Sequence, residues 1–177
     1  NHGSRQIVTD GEFPEASPFG WHDTDGVEGP EFTITRGNNV YAFEDKNNDD
    51  ASDGNDPDGG ANLVFDFPMN LNNDPRESGN AAVTNLFYLN NMIHDITHFL
   101  GFDEAAGNFQ ARNYTGAPGA GDFVLAQALD GIEATPQTLN NANFATPSDG
   151  GNGRMQMFLW ENGGGAVSID SPDAIKG

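Results

Sequence analysis

Residues 80–100 read NAAVTNLFYLNNMIHDITHFL, and this stretch decides the fold. Leu86, Leu89, Ile93, Ile96 and Leu100 fall at steps of three and four, which predicts one apolar stripe along a helix. Ser78 or Asn80 can cap its start. Gly101 stands where a left-handed residue is wanted at the end, and Phe102 can fold back on the last turn. At ~1.5 Å per residue the helix is ~30 Å long, enough to cross a small domain. It is expected to be a scaffold rather than a surface ornament.

Outward from this helix the chain reads as short strands and long loops. Residues 1–35 carry Pro14, Pro18 and Pro30 and read as an extended arm. Strands are predicted at 31–35, 40–43, 63–67, 122–129 and 154–160 from alternating or continuous apolar residues. Residues 44–60 and 103–121 are loops by their Gly, Asn and Asp content. The run 161–165 ends in three glycines, and a domain boundary is placed near residue 162. The class is α+β, mostly β-strands and long loops with one long helix at about 80–100.

Hydrophobic residues make up 36% of 177, below the usual ~45–50%. The core is therefore thin, and one completed by another chain or by further sequence is consistent with it. Formal net charge is -20, from 27 acidic and 7 basic residues. Such a surface repels phosphate backbones and anionic lipids, so neither nucleic acid nor membrane is an expected partner. It attracts divalent cations. No cysteine occurs, which excludes disulfides, thiolate metal sites and cysteine nucleophiles. No apolar run approaches the ~20 residues of a membrane span.

Three constellations could carry chemistry. His94 and His98 lie at i and i+4 on one helix face, a spacing that can hold zinc. The zinc-peptidase pattern wants Glu after the first His; here that position is Asp95, one methylene shorter, and no third ligand stands at a recognisable spacing. The pair therefore reads as packed or hydrogen-bonded helix histidines. The acidic loop 44–60 offers oxygens for calcium, with Asp45, Asp49 and Asp53 as candidate ligands, although the EF-hand order is not met. The segment Asn140 to Phe144, followed by the strand Met155 to Trp160, could present an extended edge with a free Asn amide to a peptide.

Several stretches together resemble the fungalysin family of secreted zinc metallopeptidases, in family order over about residues 16–160. They are Ala16 to Asp23, Thr35 to Val40, Asp58-Gly59-Gly60 leading into Phe65 to Pro68, Thr84 to Asp95 running on through Gly101 to Glu104 and Gly107 to Gln110, Asn140 to Pro147, and Arg154 to Met157. The resemblance implies a thermolysin-like N-terminal subdomain over residues 1–161, with the 80–100 helix as its scaffold. It implies that Asn141 and Ala142 bind the substrate backbone. It also implies that the zinc, which would activate water with a Glu as base, is held by residues outside this chain. Residues 162–177 are similar to a linker and the opening of a protease-associated domain.

The reading is the N-terminal portion of a secreted, extracellular zinc metalloendopeptidase, inactive alone. Its expected partners are the C-terminal part of the same protease and a peptide or protein substrate, with zinc and calcium as cofactors. The alternative is a non-catalytic, calcium-stabilised binding module. A third reading, a self-contained metalloenzyme built on His94 and His98, would require them to hold metal without further sequence.

Overall fold

The computed structural model describes residues 7–70, 72–162 and 166–169. Its elements run β1 (Val40–Glu44), α1 (Gly79–Phe99), β2 (Val124–Ala128), β3 (Ala142–Ala145), β4 (Arg154–Met157), β5 (Trp160–Asn162) and β6 (Ala166–Ile169), with short 3-10 turns between. One long helix and a four-stranded mixed sheet make the chain α+β.

The sheet order is β1-β2-β4-β3. β1, β2 and β4 are parallel, and β3 closes one edge antiparallel to β4. The parallel pair β1 and β2 needs a crossover, and α1 lies within it. Side chains alternate across the strands, so Val40, Ala42, Val124, Ala126 and Ala128 meet Val83, Leu86 and Phe87 of the helix in the main core. The alanines let the helix approach the sheet closely. The other face carries Tyr41, Phe43, Gln127, Arg154 and Gln156, and loop 45–58 lies over it. Arg154 Nη1 donates to both oxygens of Asp50 at 2.8 and 2.7 Å, and Gln127 Nε2 to Asp50 Oδ1 at 3.2 Å.

Helix α1 ends as its sequence predicts. Gly101 is left-handed (φ 97°), its N–H donates to the His98 carbonyl, and the Phe102 N–H donates to Thr97. Ser78 occupies the N-cap position without a side-chain capping bond. The buried face differs from the predicted stripe. Ala82, Val83, Leu86, Phe87, Asn91 and Asp95 are buried, whereas Ile93, Ile96 and Leu100 are 56, 46 and 79% exposed.

Three strand expectations are corrected. Residues 31–35 form no strand; only the isolated bridges Ile34–Asp58 and Arg36–Tyr41 form, and Thr35 is held by one backbone bond to Pro57 and by a backbone and a hydroxyl bond to Ala42. Residues 63–67 form none either. Gly60–Asn62 is a 3-10 turn ending at Leu63 in the left-handed region, and Phe65 leaves it to stack on His22 and Phe87 instead of joining a ladder. The run 154–160 breaks after Met157, where Phe158 and Leu159 turn inward and are buried; β5 begins at Trp160.

β5 and β6 form an antiparallel hairpin across the position of the expected domain boundary. Residues 163–165 and 170–177, on which most of the expected linker and protease-associated opening falls, lie outside the described residues.

Candidate functional site

The fold brings β3 to an open sheet edge. All four of its residues are exposed, and it pairs on one side only, with β4. The Phe158 N–H donates to the Asn141 carbonyl at 3.2 Å, so in the alternating ladder the bonded pair is Asn143 with Gln156. The N–H and C=O of Ala142 and Phe144 therefore point to the open side. Asn141 is exposed just ahead of the strand, and its Oδ1 accepts the Ala142 N–H at 2.9 Å.

The side chains of β3 divide between the two faces. Asn143 Nδ2 donates to Gln156 Oε1 at 3.1 Å. Phe144 packs on the helix side against Phe109, their ring centres 5.7 Å apart. A shallow cleft of about 410 Å³ adjoins the far end of the strand, lined by Phe102, Phe109, Asp122, Thr146, Pro147 and Asp149 among others. An edge with outward backbone groups, of which the Ala142 N–H is held by Asn141 Oδ1, beside a cleft suits an extended peptide.

The helix histidines sit in a different setting. Asp95, 0% exposed, accepts four hydrogen bonds: from the Phe13 N–H (3.0 Å), Ser17 Oγ (2.7 Å), Trp21 Nε1 (2.9 Å) and His94 Nδ1 (2.9 Å). Burial alone would raise its pKa, but these four donors outweigh it and hold the carboxyl below the usual range. With Nδ1 donating to Asp95, Nε2 of His94 accepts from Asn108 Nδ2 at 3.1 Å. Both ring nitrogens of His94 are thus engaged, and Asp95 is a clamp on the N-terminal arm rather than a free base. Among the described residues no third ligating side chain joins His94 and His98. The residues present do not fit a zinc ion.

His22 is also a core residue. It stacks against Phe65 and Phe87 and its Nδ1 lies 3.1 Å from the Arg36 carbonyl; burial pushes its pKa down to about 4.

The candidate carboxylates Asp45, Asp49 and Asp53 of the acidic loop bond to its own backbone. Asp45 accepts from the Asp49 and Asp50 N–H groups, Asp49 from Ala51, and Asp53 from Lys46. Asp45 is fully buried beside Asp130, whose two oxygens have no hydrogen-bond partner. Burial first, then the nearby Asp45 and Asp50 charges, push Asp130 up to about 6, with Gln156 and Arg154 opposing. Among the described residues the one group of three carboxylates with oxygens within 4.8 Å of one another lies elsewhere, at Asp23, Asp25 and Glu31. The sequence reading passed over it as part of an irregular arm. Its signal was the spacing Asp-x-Asp-Gly followed by Glu.

Comparison with known sequences identifies relatives. The profile described as Fungalysin metallopeptidase matches residues 1–171. An "Extracellular metalloproteinase" of Pyrenophora tritici-repentis is 47% identical over 161 residues, covering 89% of this chain and 23% of the relative. "Extracellular metalloproteinase 2" of Phaeosphaeria nodorum is 46% identical over 162 residues, covering 89% and 24%. "Extracellular metalloproteinase 1" of Arthroderma otae is 40% identical over 159 residues, again covering 89% and 24%. The chain spans about a quarter of the length of these curated relatives.

Proposed function

The chain belongs to the fungalysin metallopeptidase family, and from that premise we propose that it is the N-terminal portion of a secreted, extracellular zinc metalloendopeptidase. In this reading β3 is the edge on which the substrate peptide lies. The Asn141 side-chain amide and the Ala142 carbonyl bond to its backbone. The observation that carries the reading is the unpaired edge of β3, with the Ala142 carbonyl turned outward.

The zinc ligands are assigned to polypeptide outside this chain, because His94 and Asp95 are committed to Asn108 and the arm. The same further polypeptide would cover the apolar flank of α1 at Ile93, Ile96, Phe99 and Leu100. A helix apolar on both flanks is normally buried on both. Residues 1–161 then form the N-terminal part of the catalytic domain, and 162–177 a linker and the start of a protease-associated domain.

The test is Asn141→Ala in the complete protease with a peptide long enough to lie along β3. Losing one or two backbone hydrogen bonds costs ~1–3 kcal/mol of transition-state binding, a fall of about 5- to 150-fold in kcat/KM. Folding should change little, since Asn141 is exposed. Full activity in the variant would remove the assignment.

Calcium at Asp45, Asp49 and Asp53 is a secondary part of the proposal, supported by carboxylate density alone. There Asp49→Ala with Asp53→Ala should reduce the melting-temperature gain from calcium. An equal gain from sodium at matched ionic strength would dismiss it.

A further inference from the structure

The loop that follows Trp21 reads Asp23-Thr24-Asp25-Gly26-Val27-Glu28-Gly29-Pro30-Glu31. Two turns bring its ends together. Gly26 and Gly29 have φ of 76° and 135°, which a side chain would resist. The Glu31 N–H then donates back to the His22 carbonyl at 3.2 Å, and the Thr24 N–H reaches Glu31 Oε2 at 2.5 Å. A carboxylate eight residues downstream is thus returned to the two Asp side chains. Oxygens of Asp23, Asp25 and Glu31 lie within 4.8 Å of one another.

Each carboxylate is oriented through one oxygen. Asp23 Oδ1 accepts from the Gly26 N–H at 3.0 Å and from the Tyr114 hydroxyl at 2.7 Å. Asp25 Oδ1 accepts from the Val27 N–H at 2.8 Å. Asp23 Oδ2 has no partner, although Asp23 is only 1% exposed. A buried carboxylate oxygen left unbonded is costly and calls for a cation or donor.

Arg112 is the neighbouring protein cation; its Nε would stand 3.1 Å from a Cβ on Gly26. Among the described residues it forms no ion pair with these acids. Three negative charges against one positive leave an excess of two.

We propose that Asp23, Asp25 and Glu31 form a calcium site that closes the 23–31 loop and ties it to Tyr114. The oxygen-only ligand set excludes a preference for zinc or copper. Calcium–oxygen distances of ~2.3–2.6 Å allow ligands on one ion to stand up to ~5 Å apart, which suits this spacing. An open loop suits calcium's irregular shell better than the strict octahedron of magnesium. The site is independent of the protease assignment.

The experiment uses the full chain, freed of metal with chelator, at fixed ionic strength. Terbium stands in for calcium, and its emission is excited through tyrosine, because the Tyr114 hydroxyl bonds directly to Asp23. A saturable site that depends on Asp25 and Glu31 is expected, displaced by calcium with a Kd of about 0.1–1 mM, the range of extracellular modules. Calcium titration calorimetry should show the same Asp25- and Glu31-dependent site.

Asp25→Asn with Glu31→Gln should weaken calcium at least ~10-fold, as removing ligand charge does. Both residues are exposed, so the fold should be kept; should the pair fail to fold, Asp25→Asn alone serves the same comparison. Asp49→Asn with Asp53→Asn should leave this affinity unchanged. No saturable binding at millimolar calcium, undiminished binding in the Asp25 and Glu31 variants, or binding lost only in the Asp49 and Asp53 variant would each overturn the assignment.

Discussion

Replacing Asp95 with Asn tests whether this buried carboxylate holds the N-terminal arm to the helix. Oδ1 accepts from Ser17 and His94, and Oδ2 from the Phe13 N–H and Trp21 Nε1. An amide keeps the shape but turns one oxygen into a donor facing two donors. Two charge-assisted bonds are lost at ~1.5–3 kcal/mol each, and relaxation recovers part, so ~2–4 kcal/mol is expected. For a domain of this size that is a fall of roughly 5–15 °C in Tm. Urea unfolding followed by far-UV circular dichroism and by tryptophan fluorescence gives the free energy.

The pH dependence of this loss has a fixed sign. Because the folded carboxyl lies below its ordinary pKa, its contribution is complete above the usual carboxylate range and is lost as pH falls through the folded value. The gap between wild type and variant should therefore narrow in acid. A variant within ~0.5 kcal/mol of wild type at pH 7 would refute the clamp.

Two other buried groups give opposite pH slopes. His22, held to about 4, stays neutral in the fold; its contribution of ~3 kcal/mol is complete above 6.5 and lost as pH falls toward 4. An NMR titration of its ring should show a midpoint near 4, and a midpoint above 6 would contradict its stacked burial. Asp130, raised to about 6, acts the other way: stability is greatest below its unfolded pKa and declines as pH rises through 6. Asp130→Asn should stabilise the chain by ~1–3 kcal/mol at pH 7.5 in chelator and by little at pH 4. Urea midpoints unchanged at pH 7.5 would show the charge to be compensated.

What was legible in the sequence was mostly local. The helix, its Gly101 terminus and the strands predicted at 40–43 and 122–129, observed at 40–44 and 124–128, follow from periodicity and turn chemistry within short windows. The predicted strands at 31–35 and 63–67 have the right composition but lack a ladder partner, and only tertiary placement decides that. Phe65 looked like a strand residue, yet its ring is used against His22 and Phe87. Asp95 looked like a defective catalytic residue because its four partners include three that are 74 to 82 positions away. The Asp23 group escaped notice for the opposite reason: its spacing is local, but the richer acidic run at 44–60 drew attention from it.

The error in the helix face has a physical origin that periodicity cannot remove. The buried ridge runs Val83, Phe87, Asn91, Asp95, each four residues after the last. Its second half is polar, so an apolar pattern search discards it in favour of Leu89, Ile93, Ile96 and Leu100. Both polar members are buried with hydrogen-bond partners, which offset the cost of leaving water. Asn91 Oδ1 accepts from Asn39 Nδ2 at 3.1 Å, and its own amide donates to the Phe87 carbonyl at 2.9 Å. Asp95 takes the arm. The first half of α1 is therefore fixed to the sheet by apolar packing and the second half to the arm by hydrogen bonds. The Ile93 to Leu100 flank is left free of both duties, and an unneeded apolar flank would be costly to solubility. Under the proposed function, the remainder of the protease packs on that flank.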